Sequence, residues 1–191
     1  MRITGGRLCG RKVLFPPSGA VRPAMDRMRE SLFAILGDLD GKSFLDLFSG
    51  SGVVALEAVS RGASPVEAVE RDALKSKTLI QNAAIALPQR INCRFMACEL
   101  YVKRAKRKFD VIFCDPPFPY AYKNELIRDI AASVLMGHKS GGAGETEAGG
   151  KSLLILHYPR EEQISYPKNL LEETGRKEYG RSNLIFLKSL L

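Results

Sequence analysis

The chain has few of the residues that build metal centres or disulfide frameworks. Its 191 residues include two histidines, His138 and His157, and four cysteines, Cys9, Cys93, Cys98 and Cys114, with no Cys-x-x-Cys pair. No zinc-type ligand spacing is present, so the sequence predicts no metal and free thiols in a reducing cytoplasm. Long apolar runs are also missing. No segment approaches the ~18 residues of a membrane-span signal. The N-terminus carries Arg2 and Arg7 but no apolar stretch of signal-peptide length. A cytoplasmic protein without membrane association is expected.

The composition is otherwise ordinary, at 45% hydrophobic and 26% charged residues, which excludes disordered and collagen-like classes. One domain over residues 1–191 is the default, and a chain of this size buries roughly 70% of its unfolded surface without staples. We expect a monomer. The charge is uneven: 29 Lys and Arg against 21 Asp and Glu give 29 − 21 = +8. Residues 1–30 hold Arg2, Arg7, Arg11, Lys12, Arg22, Arg27 and Arg29 against Asp26 and Glu30 alone. A second cluster comprises Lys103, Arg104, Lys106, Arg107 and Lys108. Basic residues gathered in blocks suit a polyanion, through phosphate neutralisation and counterion release, or else a solvated face. No basic stretch continues into a strongly apolar helix face, which argues against a membrane surface.

Residues 2–17 read as short extended pieces around Gly5-Gly6 and Gly10, a basic hairpin or arm. Pro23 to Leu36 reads as a helix, with Met25, Met28, Leu32, Phe33, Ile35 and Leu36 as its apolar stripe and Arg22, Arg27 and Arg29 at its start and polar side. Strand and helix patterns then alternate. Strands are predicted at 43–48, 65–69, 91–96, 109–114 and 152–157, with helices at 53–60, 73–87, 99–108 and 121–136. Such alternation predicts an α/β fold built on a parallel sheet. Segments 170–179 and 183–189 read as a final antiparallel hairpin.

Residues 137–151 are Gly-rich and polar, and read as a flexible surface loop. Their end, Gly150-Lys151-Ser152, imitates a phosphate-binding loop. The first glycine of that motif is out of register, and a strand follows where a helix is needed, so nucleotide triphosphate binding is rejected.

Three constellations carry chemistry. Asp46-Leu-Phe48-Ser49-Gly50-Ser-Gly52 closes the first parallel strand with a glycine-rich turn, where open α/β sheets bind ligands. Its acidic first position, and the lack of a third glycine, suit a cationic ligand end better than a pyrophosphate. Glu70 lies 24 residues on, at the end of the second strand, where a carboxylate can take two ribose hydroxyls. Asp115-Pro116-Pro117-Phe118 follows the fourth strand. Its prolines fix the backbone, so a carboxylate and a carbonyl can hold a planar amine beside a stacking ring. Each piece alone is equally a tight turn or a solvated charge. Cys114 reads as a small core residue rather than a nucleophile, and His157 as structural rather than catalytic.

In this order and spacing the motifs resemble the class I S-adenosylmethionine-dependent methyltransferases. Asp115-Pro116-Pro117-Phe118 is similar to the tetrapeptide of those that methylate exocyclic amines of bases. Arg2-Ile-Thr-Gly5-Gly6-Arg7, Gly10-Arg11-Lys12, Arg22-Pro23 and Asp26-Arg27-x-Arg29-Glu30-x-Leu32-Phe33 look like the RsmD-type family, which methylates N2 of a guanine in small-subunit (16S) ribosomal RNA. The resemblance covers nearly the whole chain. It implies a Rossmann-like class I methyltransferase sheet, mostly parallel with a C-terminal antiparallel hairpin, plus a basic extension over residues 1–37.

It also implies site residues. Asp46, Phe48, Ser49, Gly50 and Gly52 would line the methionine end of S-adenosylmethionine, Glu70 its ribose, and Cys98 would lie near its adenine. Asp115, Pro116, Pro117 and Phe118 would position the guanine. Arg2, Arg7, Arg11, Lys12, Arg22 and Arg27 would hold RNA phosphates. Two departures stand out: Ala24-Met25 follow Arg22-Pro23 where the family often has two threonines, and Ala97-Cys98 replace an Asn-Ala or Asp-Ala pair. The competing readings are an adenine-N6 methyltransferase acting on DNA or RNA, and a non-catalytic RNA-binding protein on the same scaffold.

Overall fold

The computed structural model describes residues 1–15, 23–137 and 150–191. Arg22 and most of the loop predicted at 137–151 lie outside the described residues. The backbone forms two compact units, Met1–Ala97 and Cys98–Leu191.

The first unit opens with a small hairpin. An antiparallel bridge joins Arg2 to Lys12, Ile3 N–H donates to the Arg11 carbonyl at 3.0 Å, and Val13 N–H to that of Met1 at 3.0 Å. This pairing sends Ile3, Leu8 and Val13 inward, where all three are buried. The elements α1 (Pro23–Leu36), β1 (Phe44–Leu47), α2 (Val53–Ser60), β2 (Val66–Glu70), α3 (Ala73–Ala83) and β3 (Ile91–Phe95) follow. The strands are parallel in the order β3-β2-β1, with Phe44 opposite Val66 and Val66 opposite Ile91. β1 and β2 are buried at every position, as expected of parallel strands covered on both faces. α2 is apolar almost all round and buried from Val54 to Ser60. In α1, Met28, Leu32 and Phe33 are buried, but Ile35, expected within the apolar stripe, is exposed.

The second unit comprises α4 (Cys98–Arg104), β4 (Val111–Cys114), α5 (Lys123–Ala131), β5 (Leu153–Pro159), β6 (Leu171–Tyr179) and β7 (Ser182–Ser189). β4 pairs with β5 in parallel, β5 with β7 antiparallel, and β7 with β6 antiparallel, the hairpin expected at the C-terminus. Three helices are shorter than the periodicity predicts; α3, expected to run to residue 87, ends at Ala83 and passes into a 3₁₀ turn over Ala84–Ala86. α4 stops at Arg104 because the following like-charged run is bound elsewhere. There the Arg107 guanidinium lies 5.0 Å from the Phe109 ring centre, and Lys108 Nζ donates to the Gly150 carbonyl at 2.7 Å. α5 gives way to a 3₁₀ turn at Val134–Met136, started by Ser133 Oγ accepting from Leu135 N–H at 3.2 Å. No helix among the described residues is long and apolar enough to cross a membrane.

Candidate functional site

In the first unit, the turn after β1 and the end of β2 form one bonded structure. Asp46, almost completely buried, accepts from Ser49 Oγ at 2.8 Å and from Ala55 N–H at 3.2 Å through Oδ2. It thereby closes the turn and holds the first residues of α2. Glu70, also buried, accepts from Gly50 N–H at 2.8 Å through Oε2 and from Asp72 N–H at 2.8 Å through Oε1. Lys75 Nζ lies 4.0 Å away. The structure thus brings together Asp46, Ser49, Gly50 and Glu70.

Two backbone features give this turn its shape. Phe48 has a φ of 61°, the lone positive value among described non-glycine residues. Such a conformation costs about 1–3 kcal/mol and concentrates at ligand sites. Gly52, at φ 78°, leads into α2, and a Cβ there would lie 2.5 Å from Leu79 Cδ1. The left-handed φ favours glycine here, and a larger residue would also displace the Leu79 side chain. The result is a tight loop carrying two carboxylates, suited to a cationic ligand with hydroxyl groups. That fits the sulfonium, ammonium and ribose of S-adenosylmethionine.

In the second unit, β4 delivers Asp115 directly after the buried Cys114, which is a core residue as expected. Asp115 Oδ1 is 2.7 Å from His157 Nδ1. Phe118 packs its ring against His157 with centroids 5.6 Å apart, tilted by 59°. Lys123, at the start of α5, is 3% exposed and fixes the same loop from beneath. Its Nζ donates to the carbonyls of Phe118 at 2.8 Å and Tyr120 at 2.6 Å, and to Glu162 Oε1 at 2.9 Å. Tyr120 OH donates to Glu99 Oε1 at 2.5 Å, and burial, then this carboxylate, push the phenol well above its usual range. Cys98 begins α4 and is buried. No cluster of three His, Cys, Asp or Glu among the described residues could hold a metal ion.

The basic arm divides by role. Arg2 and Arg7 are exposed, yet each spends an N–H on the fold: Arg2 Nη1 on the Gly10 carbonyl at 2.5 Å, Arg7 Nη2 on that of Ala86 at 2.8 Å. Arg11, Lys12 and Arg27 are exposed, and their side chains make no hydrogen bond or ion pair among the described residues. Arg29 is not on the polar face. It is 3% exposed and donates to Glu57 Oε1 at 3.0 Å and Asp26 Oδ1 at 2.9 Å. Glu57, fully buried on α2, also accepts from Thr4 N–H at 2.7 Å, Thr4 Oγ1 at 2.9 Å and the Arg61 guanidinium. This network fastens the arm to α2. Gly6, at φ 75°, permits the approach, since a Cβ there would overlap the Ser60 carbonyl.

Sequence reasoning missed Lys123 and Glu57 and set His157 aside as structural. A visible signal existed for Glu57, the one charged residue within an apolar helix; no local signal marks the other two.

Comparison with known proteins bears on the family and the fold. The family model described as conserved hypothetical protein 95 matches residues 1–188. The ribosomal RNA small subunit methyltransferase D of Escherichia coli K12 is 34% identical over 128 residues, covering 66% of this chain and 65% of that protein. The match therefore spans just under two thirds of that relative's length. The Haemophilus influenzae protein of the same name is 31% identical over 137 residues, covering 66% of this chain and 68% of its own. A solved structure of a candidate methyltransferase from Escherichia coli superimposes with a TM-score of 0.79 at 27% identity, over 99% of this chain and 97% of that one. The fold is thus the Rossmann-like class I methyltransferase fold, and the chain belongs to the conserved hypothetical protein 95 family, the RsmD-type methyltransferases.

Proposed function

We propose that this protein transfers a methyl group from S-adenosylmethionine to the exocyclic N2 of a guanine in small-subunit (16S) ribosomal RNA, in the cytoplasm. The observation that carries the proposal is the Asp115 carboxylate, anchored through Oδ1 at the end of β4 while Oδ2 makes no hydrogen bond among the described residues. It is followed by two prolines and the Phe118 ring. The relatives named ribosomal RNA small subunit methyltransferase D support the choice of substrate.

The chain's own residues account for the chemistry as follows. Asp46, Ser49 and Gly50 hold the amino-acid end of the cofactor and Glu70 its ribose, with Cys98 near the adenine. When bound, the cofactor supplies a methyl group activated on a sulfonium. Asp115 and the Pro116 carbonyl accept from the two N–H groups of guanine N2, while Phe118 stacks on the base. This opposes delocalisation of the nitrogen lone pair and aims it at the methyl carbon. Orientation of this kind contributes roughly 7–11 kcal/mol to such reactions. The cofactor would supply the methyl group to N2 and keep the S–C electron pair, and Asp115 would take the proton lost from N2. A paired guanine cannot enter such a pocket, so the base is unpaired or flipped out. Arg11, Lys12 and Arg27, with Arg2, Arg7 and Arg22, hold the flanking phosphates.

The test is to incubate the protein with methyl-labelled S-adenosylmethionine and small-subunit RNA or subunits, then identify the labelled nucleoside. N2-methylguanosine is expected. Label in N6-methyladenosine would establish the adenine alternative, and cofactor binding without transfer to any RNA would favour the non-catalytic one.

A further inference from the structure

We propose that His157 is a positioning residue for this reaction, acting through Asp115; the inference rests on the methyl-transfer reading above. His157 lies on β5, opposite Leu184 of β7, and is 4% exposed. Its Nδ1 is 2.7 Å from Asp115 Oδ1, a short charge-assisted contact spanning 42 residues of sequence. In this role His157 carries the hydrogen on Nδ1 and donates it to the carboxylate oxygen.

The other nitrogen is the unusual part. His157 Nε2 is buried and has no hydrogen-bond partner among the described residues. Most buried polar groups have a hydrogen-bond partner, so a buried imidazole bonded through Nδ1 alone calls for an explanation. Here the single polar contact of a buried imidazole goes to the carboxylate that receives the amine. Phe118, the other member of the base-holding loop, leans on the same ring. The imidazole thus touches both groups that define where the guanine sits.

The consequence is geometric. With Oδ1 held by Nδ1–H, rotation of the carboxylate about its Cβ–Cγ bond is blocked, and Oδ2 is presented to the substrate N–H. Without the imidazole, Asp115 samples orientations in which neither oxygen meets the amine, and near-attack geometry becomes rare. His157 makes and breaks no covalent bond, and the proton from N2 still goes to Asp115.

The experiment compares wild type with His157→Leu, His157→Asn and Asp115→Asn, and the Leu and Asn changes combined with Asp115→Asn, in cofactor binding and in single-turnover methylation of small-subunit RNA. Asparagine places an amide N–H close to the position of Nδ1, whereas leucine supplies none. Loss of one charge-assisted orienting bond predicts a single-turnover rate lower by about 10- to 100-fold in His157→Leu. Recovery to within about tenfold of wild type is expected in His157→Asn, and cofactor affinity should be unchanged in both. In the Asp115→Asn background the leucine change should cost little more, because the group it acts through has already been altered. Equal rates for wild type and His157→Leu, or full additivity with Asp115→Asn, would overturn the inference while leaving the methyltransferase reading intact. If His157→Leu does not fold, the asparagine variant decides: a rate as low as that of Asp115→Asn, with normal cofactor binding, contradicts positioning through an N–H. A wild-type protein that binds cofactor but methylates no RNA defeats the underlying reading instead.

Discussion

Replacing Glu57 by Gln probes the join between the basic arm and α2 with little change of volume. The carboxylate is completely buried and accepts from Thr4 N–H, Thr4 Oγ1, Arg29 Nε and Arg61 Nη1. Arg29 is itself 3% exposed, so neutralising Glu57 leaves a buried guanidinium with only Asp26, 38% exposed, as counter-ion. Breaking a buried ion pair costs ~3–5 kcal/mol, and the lower figure applies here because glutamine keeps one acceptor for Thr4. For a chain of this size, each kcal/mol lowers Tm by roughly 2–4 °C, which gives a fall of about 6–12 °C. Asp26→Asn, which removes only the half-exposed partner, should cost less than about 1 kcal/mol. Thermal melting followed by circular dichroism measures both variants, and tryptic cleavage after Arg7 and Arg11 reports on the arm. Cleavage should accelerate in Glu57→Gln and not in Asp26→Asn. A Glu57→Gln protein melting within about 2 °C of wild type, with its arm still protected, would refute the claim that this network holds the arm in place.

Two further outcomes follow from the site. Lys123→Met leaves the Phe118 and Tyr120 carbonyls without their donor, so about 2–4 kcal/mol of stability should be lost. Single-turnover methylation should fall further than cofactor affinity, because the loop disturbed is the one proposed to hold the base; an equal loss in both would contradict that assignment. Changing Arg11, Lys12 and Arg27 together to Ala should weaken RNA binding and reduce the slope of log affinity against log salt by roughly 2, at ~0.7 per phosphate contact on a single strand. An unchanged slope would remove these side chains from the interface.

The parts of this molecule legible in the sequence are those governed by local patterns. Short apolar runs mark the buried strands and the helix α2, and helical periodicity marks the amphipathic helices, because both patterns are written within ten or fifteen residues. The span of α1, Pro23–Leu36, was readable from the proline at one end and the glycine at the other. Both acidic turns and Asp115-Pro116-Pro117-Phe118 could be placed at strand ends for the same reason. What escaped was long-range pairing. Nothing near Asp115 marks His157, and Arg29 looks like one more arginine of a basic arm until Glu57 is seen beneath it. Helix 53–60 offered the clue, since a lone carboxylate in an apolar helix demands a buried cation. The ends of α3, α4 and α5 fall short of the periodicity; at α4 and α5, side-chain contacts outside the helices, at Arg107, Lys108 and Ser133, compete with further helical turns.

The Asp115 carboxylate is proposed to direct a methyl group onto guanine N2 of small-subunit ribosomal RNA. The most direct test of this is nucleoside mass spectrometry of that RNA from cells lacking the protein, re-supplied with either the wild type or Asp115→Ala. N2-methylguanosine should fall by one residue per RNA in the deletion, return with the wild type, and stay absent with Asp115→Ala although that variant still binds S-adenosylmethionine. An undiminished N2-methylguanosine content in the deletion, or full restoration by Asp115→Ala, would contradict it.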